Sequence, residues 1–320
     1  MKPEVSVVIP AYNVERYLAE ALDSVRAQSL TNWEALVVND GSTDETLAIA
    51  RRYAELDSRI LVIDQENQGV SAARNAAIEA SRAEAIAFLD GDDLWHRDKL
   101  EIQLTCMRER EVDIVSCSFA ECDPEGALLP TGESGPLGEF ESEEFFRLCY
   151  SYFFLLPSAV MVRSEALRRL GGFDSSLRAH EDFEMWLRLA SGGCRLAALP
   201  DILLTYRRHP ESLTYQALFE PAAQMLPRYS TSPWLSEAER PKPYRIHFRN
   251  CFTYLGRLDQ THRAKSMFDH YYPFDSANLA SRVMKLLRHL FPTYLFWFVS
   301  RFVIIPLAWH YERLVEKVQR

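Results

Sequence analysis

The sequence predicts an α/β fold: a mainly parallel sheet flanked by helices, with a helical extension at the C-terminal end. Three observations carry this reading. Short β-branched runs alternate with helix-length segments through the first hundred residues, the pattern of strand–helix crossover units. Hydrophobic residues make up 48% of the 320-residue chain and charged residues 25%, enough to bury a sizeable core. Beyond residue 215 the character changes, with Pro221, Pro227, Pro233, Pro241 and Pro243 interrupting the chain before further helical segments.

Taken in order, residues 5–10 (VSVVIP) read as the first strand. Tyr17, Leu18, Ala21, Leu22 and Val25 then recur at helical spacing. Residues 35–38 form a second strand. Ser42 and Glu45 have capping-box spacing ahead of a helix running through Tyr53. A third strand covers residues 60–63, an Ala-rich helix residues 70–80, and a fourth strand residues 85–89. A fifth strand-like run spans 112–119, and residues 123–138, rich in Pro and Gly, read as a surface loop. A short helix at 143–150, a strand at 158–163, a helix at 181–190 and a late strand at 202–206 complete the pattern. The boundary falls near Thr214, dividing the chain into a main domain, 1–214, and a helical region, 215–320.

The net charge of −9 argues against a nucleic-acid binder, which needs basic surface to displace counterions. The six cysteines include no C-x-x-C pair, so neither a zinc knuckle nor a disulfide framework is indicated, and a reducing, cytoplasmic setting is expected. No charged-then-apolar leader stands before the first strand, so no cleavable signal is read. Residues 290–309 (LFPTYLFWFVSRFVIIPLAW) approach a bilayer span in length, but Arg301 would be costly in lipid. With Lys285, Arg288 and His289 upstream, the segment 286–310 reads as a membrane-interface or docking segment, peripheral on the inner face of the membrane. An ordinary helix packed on the main domain or on a partner subunit is an equal alternative. Self-association is open.

In an open parallel sheet, ligands bind at the carboxyl ends of the strands. That rule brings together Pro10, Ala11, Tyr12 and Asn13 after the first strand, Asp40 after the second, and Asp90, Asp92 and Asp93 after the fourth. Carboxylates converging on one edge become tolerable when a hard cation binds there, and Mg²⁺ or Mn²⁺ commonly bridges carboxylates to substrate phosphates. A polar turn capping the next helix is the bland alternative. Neither G-x-G-x-x-G after the first strand nor G-x-x-x-x-G-K-[ST] anywhere is present, which disfavours a dinucleotide dehydrogenase and a P-loop NTPase.

Six blocks then resemble the family-two inverting glycosyltransferases of the GT-A, nucleotide-diphospho-sugar transferase-like fold. They are residues 5–25 (VSVVIPAYNVERYLAEALDSV), 34–46 (EALVVNDGSTDET), 66–78 (ENQGVSAARNAAI), 87–95 (AFLDGDDLW), 171–190 (GGFDSSLRAHEDFEMWLRLA) and 206–214 (YRRHPESLT). The resemblance implies that 1–214 is the catalytic domain. It implies that Pro10, Ala11 and Tyr12 floor the nucleotide base, Asp40 accepts a hydrogen bond from it, and Gly69 and Arg74 lie near the diphosphate. Asp90 would lie by ribose and metal, Asp92 and His209 would hold Mg²⁺ or Mn²⁺, and Asp93 would stand behind them. Glu181 and Asp182 match the late acidic pair, with Asp182 as general base.

The residues themselves leave alternatives. Acidic side chains at 181 and 182 also suit a helix start. Trp186 could stack on an acceptor sugar or pack in the core. Arg207 could hold the leaving diphosphate or form a solvated pair with Arg208. The implied activity is inverting transfer from a nucleotide-sugar, usually UDP-linked, to a saccharide or lipid-linked acceptor in bacterial-type surface polysaccharide or glycolipid synthesis. A sugar-nucleotide nucleotidyltransferase would want a basic, Gly-rich loop where Pro10–Asn13 stand, and a silent nucleotide-binding module would not need both Asp92 and Asp182.

Overall fold

Continuous apolar runs make the first two strands central. Every residue of β1 (Val5–Ala11) and β2 (Trp33–Asp40) except Pro10 is buried, as expected of strands covered on both faces. The computed structural model describes residues 2–130, 135–151, 155–177, 179–209, 225–237 and 239–240. The chain divides into two units, Met1–Ala217 and Leu218–Arg320. In the second, the described residues include one 3₁₀ turn, Leu226–Arg228.

The first unit holds a nine-stranded mixed sheet. β3 (Ile60–Gln65), β2, β1 and β4 (Ala85–Phe88) run parallel in that order. β8 (Val160–Arg163) then pairs antiparallel with β4 and with β6 (Ile114–Cys122), and β6 runs parallel to β9 (Leu196–Arg207). Two short strands, β5 (Leu94–Trp95) and β7 (Gly138–Phe140), pair with β9. Helix α1 (Leu18–Arg26) buries Leu18, Ala21, Leu22 and Val25, the residues its spacing selects. α2 (Thr46–Leu56) and α3 (Val70–Ala80) complete the parallel half, and α5 (Ser142–Ser151) and α7 (Glu181–Ser191) lie where their periodicity puts them.

Several expectations change. The Ser42–Glu45 capping box does not form: the side chain of Asp44 accepts the Thr46 N–H at 3.0 Å, and Ser42 Oγ instead accepts the N–H of Asn13. α4 (Lys99–Glu109) and α6 (Ser164–Leu170) go unforeseen. α4 hides because its inner face carries Lys99 and Gln103, both fully buried: Lys99 donates to Gln103 within the helix, and Gln103 donates to the Val115 and Ala159 carbonyls. The late strand begins at Leu196 rather than 202. Pro200 reads as a break, yet the sheet absorbs it where the register against β6 shifts from Cys117↔Leu199 to Ser118↔Ile202. The segments 286–310 and 210–214 lie outside the described residues.

Candidate active site

Parallel β2, β1 and β4 are neighbours, so Asp40, the Ala11–Asn13 turn and the Asp90–Asp93 loop sit at one edge of the sheet. Gly91 allows the last two to pack closely. A Cβ there would stand 3.1 Å from Val14 Cγ2 and 3.4 Å from the Pro10 carbonyl. Tyr12 is half exposed. Asn13 adopts φ 51°, a left-handed conformation held by its side chain accepting the Thr43 N–H.

Asp40 is buried, and three donors surround its carboxylate. Gln65 Nε2 and the Gln68 N–H donate to Oδ1, and the Gly69 N–H donates to Oδ2 at 2.8 Å. It thereby fixes the loop entering α3, which Gly69 turns with φ 90°. About one of a carboxylate's four acceptor positions is left.

Arg74, expected beside a diphosphate, is buried and committed to carboxylates. Its Nη2 donates to Asp90 Oδ1 at 2.7 Å and its Nη1 to Glu181 Oε1 at 2.8 Å. Burial opposes its charge, but Asp90 and Glu181 outweigh that and hold its pKa above the usual value. The same bridge ties the α7 start, and so Asp182, to the fourth-strand loop. Asp182 is half-buried and accepts the Phe183 N–H. Burial and then repulsion from Glu181 push its pKa up to about 8, although Arg74 opposes them. His180 precedes it with φ 61°. Burial also raises Asp90, and raises Asp93 well above the ordinary range with help from Asp92 and Asp90.

Asp92 Oδ2 and His209 Nε2 meet at 2.8 Å. A carboxylate oxygen and an imidazole nitrogen at one point, beside crowded carboxylates, are groups that could hold a divalent cation. Among the described residues no group of three or more His, Cys, Asp or Glu side chains that could hold a metal ion forms.

Packing decides two readings that the sequence left open. Trp186 is core: only 1% exposed, it packs near Phe88 and donates Nε1–H to the Leu155 carbonyl. Arg207 is neither solvated nor free for phosphate. Its three guanidinium nitrogens reach the Asp92 carbonyl, the Pro124 carbonyl and Glu20.

Sequence reasoning also missed residues that shape the site. Asn75 of α3 exchanges two hydrogen bonds with the backbone of Phe173. Arg188 of α7 pairs with Glu184 and donates to the Leu170 and Gly172 carbonyls. Ser158 receives the Asp90 N–H. Asn75 and Arg188 fall inside the quoted blocks, but only their partners reveal what they do.

The family model for glycosyl transferase family 2 matches residues 6–171, just over half of the chain. The chain belongs to glycosyl transferase family 2. A second model, glycosyltransferase like family 2, matches residues 131–264. Among relatives in this family, the chain is 35% identical over 211 residues to the Bacillus subtilis glycosyltransferase TuaG, named for teichuronic acid biosynthesis, covering 64% of this chain and 79% of that one. It is 34% identical over 224 residues to B. subtilis EpsJ, covering 67% and 64%. With B. subtilis EpsH it shares 46% over 118 residues, which is 34% of that protein. The family-2 GT-A fold is also that of Staphylococcus aureus TarS residues 1–349, solved with UDP-GlcNAc: TM-score 0.65, 20% identity, 97% of this chain and 92% of that one. The Pyrobaculum calidifontis mannosyltransferase PcManGT, solved with GDP-Man and Mn²⁺, aligns with TM-score 0.57 at 20% identity over 96% and 86%.

Proposed function

We propose that the chain is an inverting, metal-assisted hexosyltransferase that moves a sugar from a UDP-linked donor to a hydroxyl of a saccharide or lipid-linked acceptor in bacterial surface-polysaccharide synthesis. The observation that carries this reading is the Arg74 bridge, which brings the late acidic pair to the edge holding Asp90 and Asp92. TuaG and the UDP-GlcNAc complex of TarS support the pathway and donor class. Residues 1–214 are the proposed catalytic domain.

In this reading Pro10, Ala11 and the exposed face of Tyr12 form the floor for the base, and Asp40 offers its remaining acceptor position to it. Asp90 takes the ribose. Asp92 and His209 would hold Mg²⁺ or Mn²⁺, which when bound neutralises the charge growing on the leaving diphosphate. Asp182 stands across from the leaving group. As the acceptor oxygen bonds to the anomeric carbon, the bond to the diphosphate breaks with its electron pair, and the acceptor's proton passes to Asp182. One displacement inverts the centre.

The test is a panel of UDP-, GDP- and dTDP-sugars with Mn²⁺ or Mg²⁺, read by thermal shift and turnover. Specific ligands raise Tm by mass action. Asp92→Ala should lose metal-dependent donor binding, whereas Asp182→Asn should bind donor and lose turnover by at least about a hundredfold. Absence of any metal-dependent donor binding would defeat the transferase reading, and equal loss of both properties in both variants would defeat the assignment of roles.

A further inference from the structure

We propose that Arg207 is a positioning residue for the Asp92–His209 pair. The inference rests on the reading of that pair as the metal ligands, and it gives Arg207 a task beyond linking β9 to α1 and to the loop at Pro124.

Arg207 ends β9, two residues before His209, and it is 2% exposed. Its Nε donates to the Asp92 carbonyl at 3.0 Å, and its backbone N–H donates to Asp93 Oδ1 at 3.0 Å. The one residue therefore grips the fourth-strand loop twice, on either side of the peptide that follows Asp92. Nη1 reaches the Pro124 carbonyl at 2.9 Å and Nη2 reaches Glu20 of α1 at 2.7 Å. The guanidinium also lies 4.8 Å from the centroid of the Tyr17 ring, and that ring lies 4.9 Å from the His209 imidazole. Arg207 thus fixes Asp92 through its backbone and His209 through a shared aromatic neighbour.

The chemistry favours this over simple packing. A guanidinium stays charged at any working pH, so burying one is costly unless its donors are matched. Here Glu20, its ion-pair partner, lies on the solvent side with its side chain 58% exposed, while two donors go to neutral carbonyls. Those bonds set geometry rather than neutralise charge, and they hold the 2.8 Å approach of Asp92 to His209. A lysine could not reproduce them, because one ammonium cannot span acceptors that a planar fork reaches in three directions.

The experiment is titration of the full chain with Mn²⁺, with and without UDP, following free Mn²⁺ by electron paramagnetic resonance. Wild type, Arg207→Lys and Glu20→Ala are compared, with urea unfolding run alongside to establish that each is folded. Loss of a group that orients a metal ligand costs roughly 10–100-fold in affinity. Arg207→Lys should weaken Mn²⁺ binding by about tenfold or more, and Glu20→Ala, which removes one anchor of the fork at an exposed helix position, by a few-fold. A folded Arg207→Lys with wild-type affinity would overturn the inference. If that variant does not fold, Glu20→Ala decides: unchanged Mn²⁺ affinity overturns it and weakened affinity supports it. Failure of the wild type to take up Mn²⁺ even with UDP would remove the metal reading of the pair and this inference with it. Wild-type uptake with unaltered variants removes the inference alone.

Discussion

A carboxyl group with its pKa near 8 is a poor base at neutral pH, because most of it carries a proton. Asp182 is in that state through burial and the neighbouring Glu181. If it removes the acceptor's proton, kcat/KM should rise about tenfold per pH unit up to a midpoint near 8 and level off above it. Asp182→Asn should leave a residual rate without this limb. A profile already flat at pH 6 would show that Asp182 is not held near 8 in the working enzyme. The same shift has a sign for stability. Between its unfolded value of about 4 and its folded value of about 8, the native state keeps a proton that the unfolded chain has released. The contribution is complete below about pH 4 and is lost as pH rises through about 8. At the residue scale the sequence marked which side chains gather, since strand ends are legible from periodicity. It did not show that Arg74 is committed to Asp90 and Glu181, or that Asp40 is encircled by a loop, because those partners lie far away in the chain.

At the scale of elements, α3 and α7 are joined through the Gly171–Phe173 turn. Gly172 has φ +68°, and a Cβ there would stand 2.5 Å from Asn75 Oδ1, which itself accepts the Phe173 N–H. Gly69 has φ +90°, but a Cβ at that position would meet only open space. Gly69→Ala should therefore cost only backbone strain, on the order of 1–3 kcal/mol for a φ, ψ pair (ψ 163°) essentially restricted to glycine. Gly172→Ala adds a clash and broken hydrogen bonds, for a total of about 3 kcal/mol or more. Urea unfolding midpoints measure the difference, and equal losses would show that the Asn75 contact carries no energy. The parallel strands and amphipathic helices were legible because their buried faces repeat at fixed periods. α4 and the first half of β9 were not: buried Lys99 and Gln103 disguise one, and Pro200 the other.

At the scale of the whole molecule, the question is where the chain works. No helix among the described residues is long and apolar enough to cross a membrane. The apolar segment 286–310, with Arg301 inside it and Lys285 and Arg288 at its start, is proposed to lie at a membrane surface and so to bring the enzyme to a lipid-linked acceptor. Flotation with anionic liposomes should carry the full chain upward and leave a truncation before Leu286 behind. Equal soluble recovery of both would end that proposal.

The sequence by itself determined the α/β class, the order of the parallel strands along the chain, the family, and the gathering of Asp40, Asp90, Asp92 and Asp182 as candidates. These follow from local periodicity and short motifs, which fold into nearly the same place whatever surrounds them. Only the tertiary structure decided that Trp186 belongs to the core, that Arg74 links the fourth-strand loop to α7, and that Arg207 bonds to the Asp92 carbonyl beside His209. A buried side chain's role is set by which distant groups satisfy its charge and hydrogen bonds, and sequence spacing carries no record of those partners.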